Sequence, residues 1–170
     1  MKNVIKKIAI VIAILSSMNT FSQKGSLSEK VTNDMKFMVE EEKVARDAYE
    51  YLGETWNLRI FNNIKQSEQR HMEMMESLLE KNKIAYEISD ERGVFYNKDL
   101  QKMYNDLIEK GSKSRRDALE VGKLIEVTDI KDLEEAIKNT SDEYIKQVYS
   151  NLLRASQNHL KAFNRQLAKY

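Results

Sequence analysis

The stretch FNNIKQSEQRHMEMMESLL (61–79) decides the fold class. Phe61, Ile64, Glu68, His71, Met75 and Leu78 follow one another at steps of three and four. That spacing draws a single stripe down one face of a helix, and a stripe this long faces a core. Its ends are apolar, but its middle is a carboxylate and an imidazole. The sequence therefore predicts a long helix, from about Leu58 to Asn82, that buries chemistry along with its hydrophobic face.

Three more stretches repeat the pattern. Met35, Met38, Glu42, Ala45, Tyr49 and Leu52 form the stripe of a helix expected from Ser28 to Leu52 and stopped by Gly53. Ala118, Gly122, Ile125/Glu126, Asp129, Leu133 and Ala136 mark a helix from Ser114 to about Asn139. Ser114 caps it, with Asp117 three residues on. A break near Thr128–Asp129 stays open, because both are poor mid-helix residues. Ile145, Val148, Leu152, Ser156, His159 and Phe163 mark a helix from about Ser141 to Ala168. Between the second and third stripes lies a less regular segment, 83–111, with Glu91-Arg92-Gly93 as a turn and a short amphipathic helix around Leu100, Met103, Tyr104, Leu107 and Ile108. It is long enough to be a crossover between the halves of a bundle. The expectation is an all-α four-helix bundle with a long crossover containing a short helix between the second and third long helices.

Composition agrees. The 170 residues fit one domain, and the chain has no proline and only five glycines, which suits long helices with few turns. It has no cysteine, which excludes disulfides, thiolate metal sites and cysteine nucleophiles. The N-terminal MKNVIKKIAIVIAILSSMNTFSQ (1–23) has Lys2, Lys6 and Lys7 ahead of an apolar run from Ile8 to Leu15. That run falls short of the roughly 20 apolar residues of a bilayer span and matches a secretory signal peptide. An uncleaved anchor is the alternative, and either way the folded part acts outside the cytoplasm, in a periplasmic or extracellular setting. Residues 24–33 read as a lead-in and 34–168 as the bundle domain. Removing the three lysines lowers the net charge from +1 to −2, which disfavours a nucleic-acid partner.

The stripes place Glu42, Glu68, His71, Glu126, Asp129 and His159 inward, and the chain has no other histidine. An unpaired buried carboxylate costs several kcal/mol or takes a proton. Two divalent ions would neutralise four carboxylates, and neutral imidazoles would add ligation without charge. Mixed imidazole and carboxylate donors suit iron or manganese, tolerate zinc or cobalt, and do not favour calcium or magnesium. The competing account is metal-free: histidines satisfied within the core, and Arg46, Arg70 or Arg154 pairing with the carboxylates. Tyr49 either hydrogen-bonds the cluster or is an ordinary core tyrosine. No Gly-rich phosphate loop and no nucleophile elbow is present.

The motifs EEEKVARDAY (40–49), FNNIKQSEQRHMEMMESLL (61–79), LIEVTDIKDLEEA (124–136) and SQNHLKAF (156–163) resemble the domain of unknown function 2202 family, within the ferritin-like, rubrerythrin-related di-iron carboxylate proteins. The resemblance spans nearly all of 34–167. It implies a ferritin-like bundle and two metal ions, with Glu42, Glu68, His71, Glu126 and His159 as ligands. Ser156 stands where ferritin-like proteins carry a Glu three residues before the histidine, and Asp129 would restore the carboxylate from the neighbouring helix. One ion would then draw on Glu42, Glu68 and His71, the other on Glu126, Asp129 and His159, with a vacancy beside Ser156. The implied partners are metal ions and a small oxidant such as dioxygen or peroxide, with a homodimer left open and no stable membrane span once the N-terminal segment is gone. A binding protein that sequesters metal without turnover is the alternative. Mass spectrometry of protein from its native host is expected to show a start near Gln23 or Lys24; an intact Met1 would refute the signal peptide.

Overall fold

The structure, a computed structural model, describes residues 27–170. The expected signal segment and the first three residues of the lead-in lie outside these residues. The helices are α1 (Glu29–Trp56), α2 (Arg59–Lys81), α3 (Lys98–Gly111), α4 (Arg115–Asn139) and α5 (Glu143–Leu167), with no strand among the described residues. All but α2, which starts after Leu58, begin with a side-chain cap. Ser28 accepts from the Val31 amide, Asn97 from Asp99 and Leu100, Ser114 from Asp117, and Asp142 from Tyr144 and Ile145.

Two local expectations need correcting. Gly53 does not end the first helix. α1 runs on to Trp56, and Asn57 takes the left-handed conformation (φ 49°, ψ 45°), its N–H donating to the Gly53 carbonyl at 2.9 Å. Asn tolerates that conformation, so the glycine is not needed as the stop. Gly53 instead allows α1 and α2 to approach: a Cβ there would lie 3.0 Å from Asn62 Oδ1 and 3.2 Å from Phe61 Cβ. α4 also passes unbroken through Thr128 and Asp129. Asp129 accepts a hydrogen bond from Ser156 across the core, so its side chain is engaged away from its own backbone.

Cross-helix contacts fix the directions. Asn139 Nδ2 donates to Asp34 at 3.1 Å, while Tyr49 reaches Gly122 and Glu126, so α1 and α4 are antiparallel. Phe61 meets Phe163 with ring centroids 5.6 Å apart, and Glu68 meets His159, so α2 and α5 are antiparallel. α1 and α2 form a tight hairpin, and α4 and α5 form another. It follows that α2 and α4 run the same way, and the chain must return along the bundle between them. Residues 82–97 and α3 make that return.

Charge pins the return segment to α1. Lys43 has no exposed surface. Its Nζ lies 2.6 Å from Asp47 Oδ2, 2.8 Å from the Glu91 carbonyl and 3.2 Å from the Val94 carbonyl, over the Phe95 ring at 4.4 Å. The Gly93 amide donates to Asp47 at 2.9 Å, and Arg46 holds the other Asp47 oxygen. Glu40 accepts from the Tyr96 and Asn97 amides.

The core has two apolar layers. One gathers Tyr49, Leu52, Phe61, Ile64, Leu119 and Phe163 with their neighbours. The other gathers Met35, Met38, Met75, Leu78, Leu133 and Leu152. The polar centres of the four stripes lie between them. Gly122 admits the Phe163 ring to the α4 backbone, since a Cβ would fall 2.2 Å from Phe163 Cε1. Phe163 is fully buried and cannot swing away. Gly122→Ala is therefore expected to destabilise the fold by about 1–3 kcal/mol despite the better helix propensity of alanine, read as a lowered midpoint in thermal or denaturant unfolding.

Candidate metal centre

The helical phase that buries each apolar stripe carries its central polar residues inward. Glu42 on α1, Glu68 and His71 on α2, and Glu126 and Asp129 on α4 are all buried. The His159 side chain on α5 retains 13% of its exposure. Glu68 joins them. Its Oε2 lies 2.8 Å from His71 Nδ1 and its Oε1 lies 2.9 Å from His159 Nδ1. His71 Nδ1 is also 3.2 Å from Glu42 Oε2, and His159 Nδ1 is 3.5 Å from Glu126 Oε2. The imidazoles stack with centroids 5.8 Å apart.

These contacts form two groups that share one carboxylate: Glu42, Glu68 and His71, and Glu68, Glu126 and His159. Within each group the donor atoms lie within 4.8 Å of one another. His71 Nδ1 is hydrogen-bonded to Glu42 Oε2, but other donors of the cluster are left unsatisfied. His159 Nδ1 and Glu68 Oε1 are buried and have no hydrogen-bond partner, although they are 2.9 Å apart; Glu42 Oε1 is also without one. Donor atoms that crowd together without bonding each other suit a common third atom. For metal–ligand bonds of about 2.1 Å, neighbouring ligands at right angles are separated by about 3 Å. The donors present fit two divalent ions in both chemistry and spacing.

Electrostatics shows the same demand for cations. Burial raises Glu42 and Glu126 to about 7. Burial also raises Asp129 well above the usual carboxylate range, with Glu42, Glu41 and Glu126 adding to the effect. Glu68 is the exception: burial would raise it, but the two facing imidazoles hold it at about 2. Burial opposes charge on the histidines, yet the surrounding carboxylates lift His71 to about 11 and His159 to about 9. The arginines do not relieve the cluster. Arg46 holds Asp47 and Gln69, and Arg154 holds Asn151.

Residues 32–170 match the family described as "Uncharacterized protein domain (DUF2202)". The chain belongs to the DUF2202 family. It is 47% identical over 148 residues to the uncharacterized protein MJ0754 of Methanocaldococcus jannaschii, covering 86% of this chain and 80% of the relative. The crystal structure of hypothetical protein MJ0754 from Methanococcus jannaschii matches with a TM-score of 0.84, over 86% of this chain and 85% of that one. The helical fold is thus shared with a solved structure.

The DUF2202 chain places the remaining residues differently from the sequence reading. Asp129 stands outside both groups, and its Oδ2 accepts from the Ser156 hydroxyl. The carboxylate grouped with Glu126 and His159 is Glu68. Ser156 is fully buried. A cavity of about 90 Å³ lies between α1, α3 and α4, with Asp129 in its lining. Val44, Ala45, Met103, Leu107, Leu124 and Ile125 wall it, and carboxylates of the cluster floor it. Tyr49 is both a core residue and a partner of the cluster, its hydroxyl donating to Glu126 Oε1 at 2.6 Å. Burial raises the Tyr49 hydroxyl well above its ordinary value, so it stays a donor.

The metal-free protein has a distinctive pH dependence. Folded, it keeps protons on Glu42 and Glu126 to about 7, and on His159 and His71 to about 9 and about 11. The unfolded chain releases them near 4.5 for the carboxyls and 6.5 for the imidazoles. At these four groups the folded state binds more protons, so the stability they contribute is full below about 4.5 and falls as pH rises. Glu68 contributes the opposite slope only below its ordinary value. Thermal unfolding of metal-free protein is expected to show a falling midpoint between about pH 5 and 9, and a rising midpoint would contradict the buried, proton-hungry cluster.

Proposed function

We propose that the DUF2202 chain is an exported, ferritin-like di-metal carboxylate protein with redox activity toward dioxygen or peroxide, of the ferroxidase or peroxidase type. Iron is the first candidate ion, and manganese and zinc suit the same donors. The observation that carries the reading is the sharing of Glu68 between two Glu/His groups in which Glu42 Oε1, Glu68 Oε1 and His159 Nδ1 are buried without a hydrogen-bond partner. Glu42, Glu68 and His71 would hold one ion, and Glu68, Glu126 and His159 the other. Two antiparallel hairpins joined by a crossover, with carboxylates from facing helices, accord with the ferritin-like arrangement. The departure is Ser156, where that arrangement has a second Glu-x-x-His glutamate.

A pair of redox-active ions would supply electron transfer to a small oxidant there. The protein supplies the rest. The Tyr49 hydroxyl orients the Glu126 carboxylate, as an outer partner of a ligand does. His71 and His159 hold protons in the metal-free protein and must yield them when they ligate. The apolar walls of the cavity beside the cluster suit a small uncharged oxidant. That cavity favours turnover over simple sequestration, which needs no space for a reactant.

Protein purified without a chelating tag is expected to bind two ferrous or manganous ions per chain. Glu68→Ala should abolish both, while Glu42→Ala and Glu126→Ala each abolish one. Affinity should rise with pH by about tenfold per unit for each proton displaced, measured by calorimetry in buffers of different ionisation enthalpy. Iron-loaded protein should consume dioxygen or peroxide. No binding in the wild type overturns the reading; two ions bound without oxidant consumption reduces it to sequestration.

A further inference from the structure

Glu41 lies next to the metal centre but serves neither Glu/His group. It is 5% exposed, and its Oε2 is buried without a hydrogen-bond partner. It shares the cavity beside the cluster with Glu42, Glu68, Glu126 and Asp129. On its other side its carboxyl is in hydrogen-bonding contact with Asp132, one turn along α4 from Asp129. Asp132 lines a different cavity, of about 220 Å³, which opens at the surface beside Asp34, Glu135 and Asn139. Glu41 therefore lines one cavity and its neighbour Asp132 the other.

Side-chain exposure falls from Glu135 at the surface cavity to Glu41. Glu135 is 61% exposed, Asp132 28% and Asp34 23%, and Glu41 is buried. Two carboxyls in contact, one of them buried, need a shared proton or a cation between them. Nearby lysines lie on the solvent side. Lys30 Nζ sits 3.5 Å from both Asp34 Oδ1 and Glu135 Oε1, and Lys131 Nζ sits 3.9 Å from Asp132 Oδ1. Both lysines are exposed, so a metal ion competes with weak, water-screened pairs. None of these groups is an imidazole, and an all-oxygen set binds a divalent ion less tightly than one with nitrogen donors in the iron-to-zinc series.

We propose that Glu41 and Asp132 form a transit site for divalent cations, through which ions pass from the surface cavity at Asp34 and Glu135 to the Glu/His centre. This rests on the proposed function, because it needs a metal centre to feed. The weaker all-oxygen site captures a partly hydrated ion, and the histidine-containing groups then take it.

Cobalt(II) is a suitable probe, since its visible spectrum reports histidine ligation. Stopped-flow mixing of cobalt(II) with the full-length metal-free protein gives the loading rate, and the final absorbance gives the occupancy of the centre. Asp132→Asn and Glu41→Gln are each expected to slow loading by about tenfold, within the range set by electrostatic steering, and to reach the wild-type absorbance. Wild-type loading should slow as salt is added, and that dependence should shrink in Asp132→Asn. Wild-type rates in both variants would overturn the transit site, leaving a proton-sharing pair and an intact metal centre. A reduced final absorbance in Glu41→Gln would also overturn it, by making Glu41 part of the centre. The absence of any cobalt spectrum in the wild type would remove the centre itself, and the transit site with it.

Discussion

Everything in this bundle is arranged around buried negative charge. Glu41, Glu42, Glu68, Glu126 and Asp129 all lie out of solvent between two apolar layers. Removing a charge from water costs several kcal/mol per ion unless it is compensated. The protein spends its arginines elsewhere and offers only two imidazoles in return. Without metal, the account is balanced by protons, which is why Glu42, Glu126 and Asp129 are raised and both histidines stay charged at neutral pH. Divalent ions do the same work with fewer compromises, because they neutralise the carboxylates and accept the imidazoles as neutral ligands.

The fold sets that charge at one place by geometry. A residue at the centre of a long helix is the residue farthest from either end of the bundle, so four stripes with polar centres meet at mid-height. Glu68 lies between both histidines because α2 faces α5 on one side and is joined to α1 on the other. The Tyr49, Phe61 and Phe163 rings close the layer on one side, with centroids 5.5–5.8 Å apart. Tyr49 serves both roles, since its ring packs with the phenylalanines while its hydroxyl reaches Glu126.

The crossover contributes more than connectivity. Lys43 and Asp47 form a second buried charge system, compensated internally, that fastens residues 91–94 to α1. With that anchor in place, α3 lies where Met103 and Leu107 wall the cavity beside the cluster. The same helix that carries Glu42 therefore carries the fastening for the segment that shapes access to the cluster.

The sequence by itself determined the helices, their caps at Ser114 and Asp142, the need for a long crossover, and the inward phase of Glu42, Glu68, His71, Glu126, Asp129 and His159. These follow from a local rule: side chains three and four apart share a face, whatever the helix packs against. Only the tertiary structure decided which inward residues meet. One-dimensional phase carries no information on the rotation and height of one helix against another. Asp129 read as a ligand and Ser156 as the position where a ligand is missing, and packing α4 on α5 aimed them at each other. Glu41 and Glu42 are neighbours in the sequence, and the packing of α1 buries both, Glu42 towards His71 and Glu41 towards Asp132. Lys43 carried no signal at all, because a lysine is ordinarily solvated and its carbonyl partners come from a loop nearly fifty residues away. Contacts set by helix height and loop closure depend on the whole chain, and no local pattern encodes them.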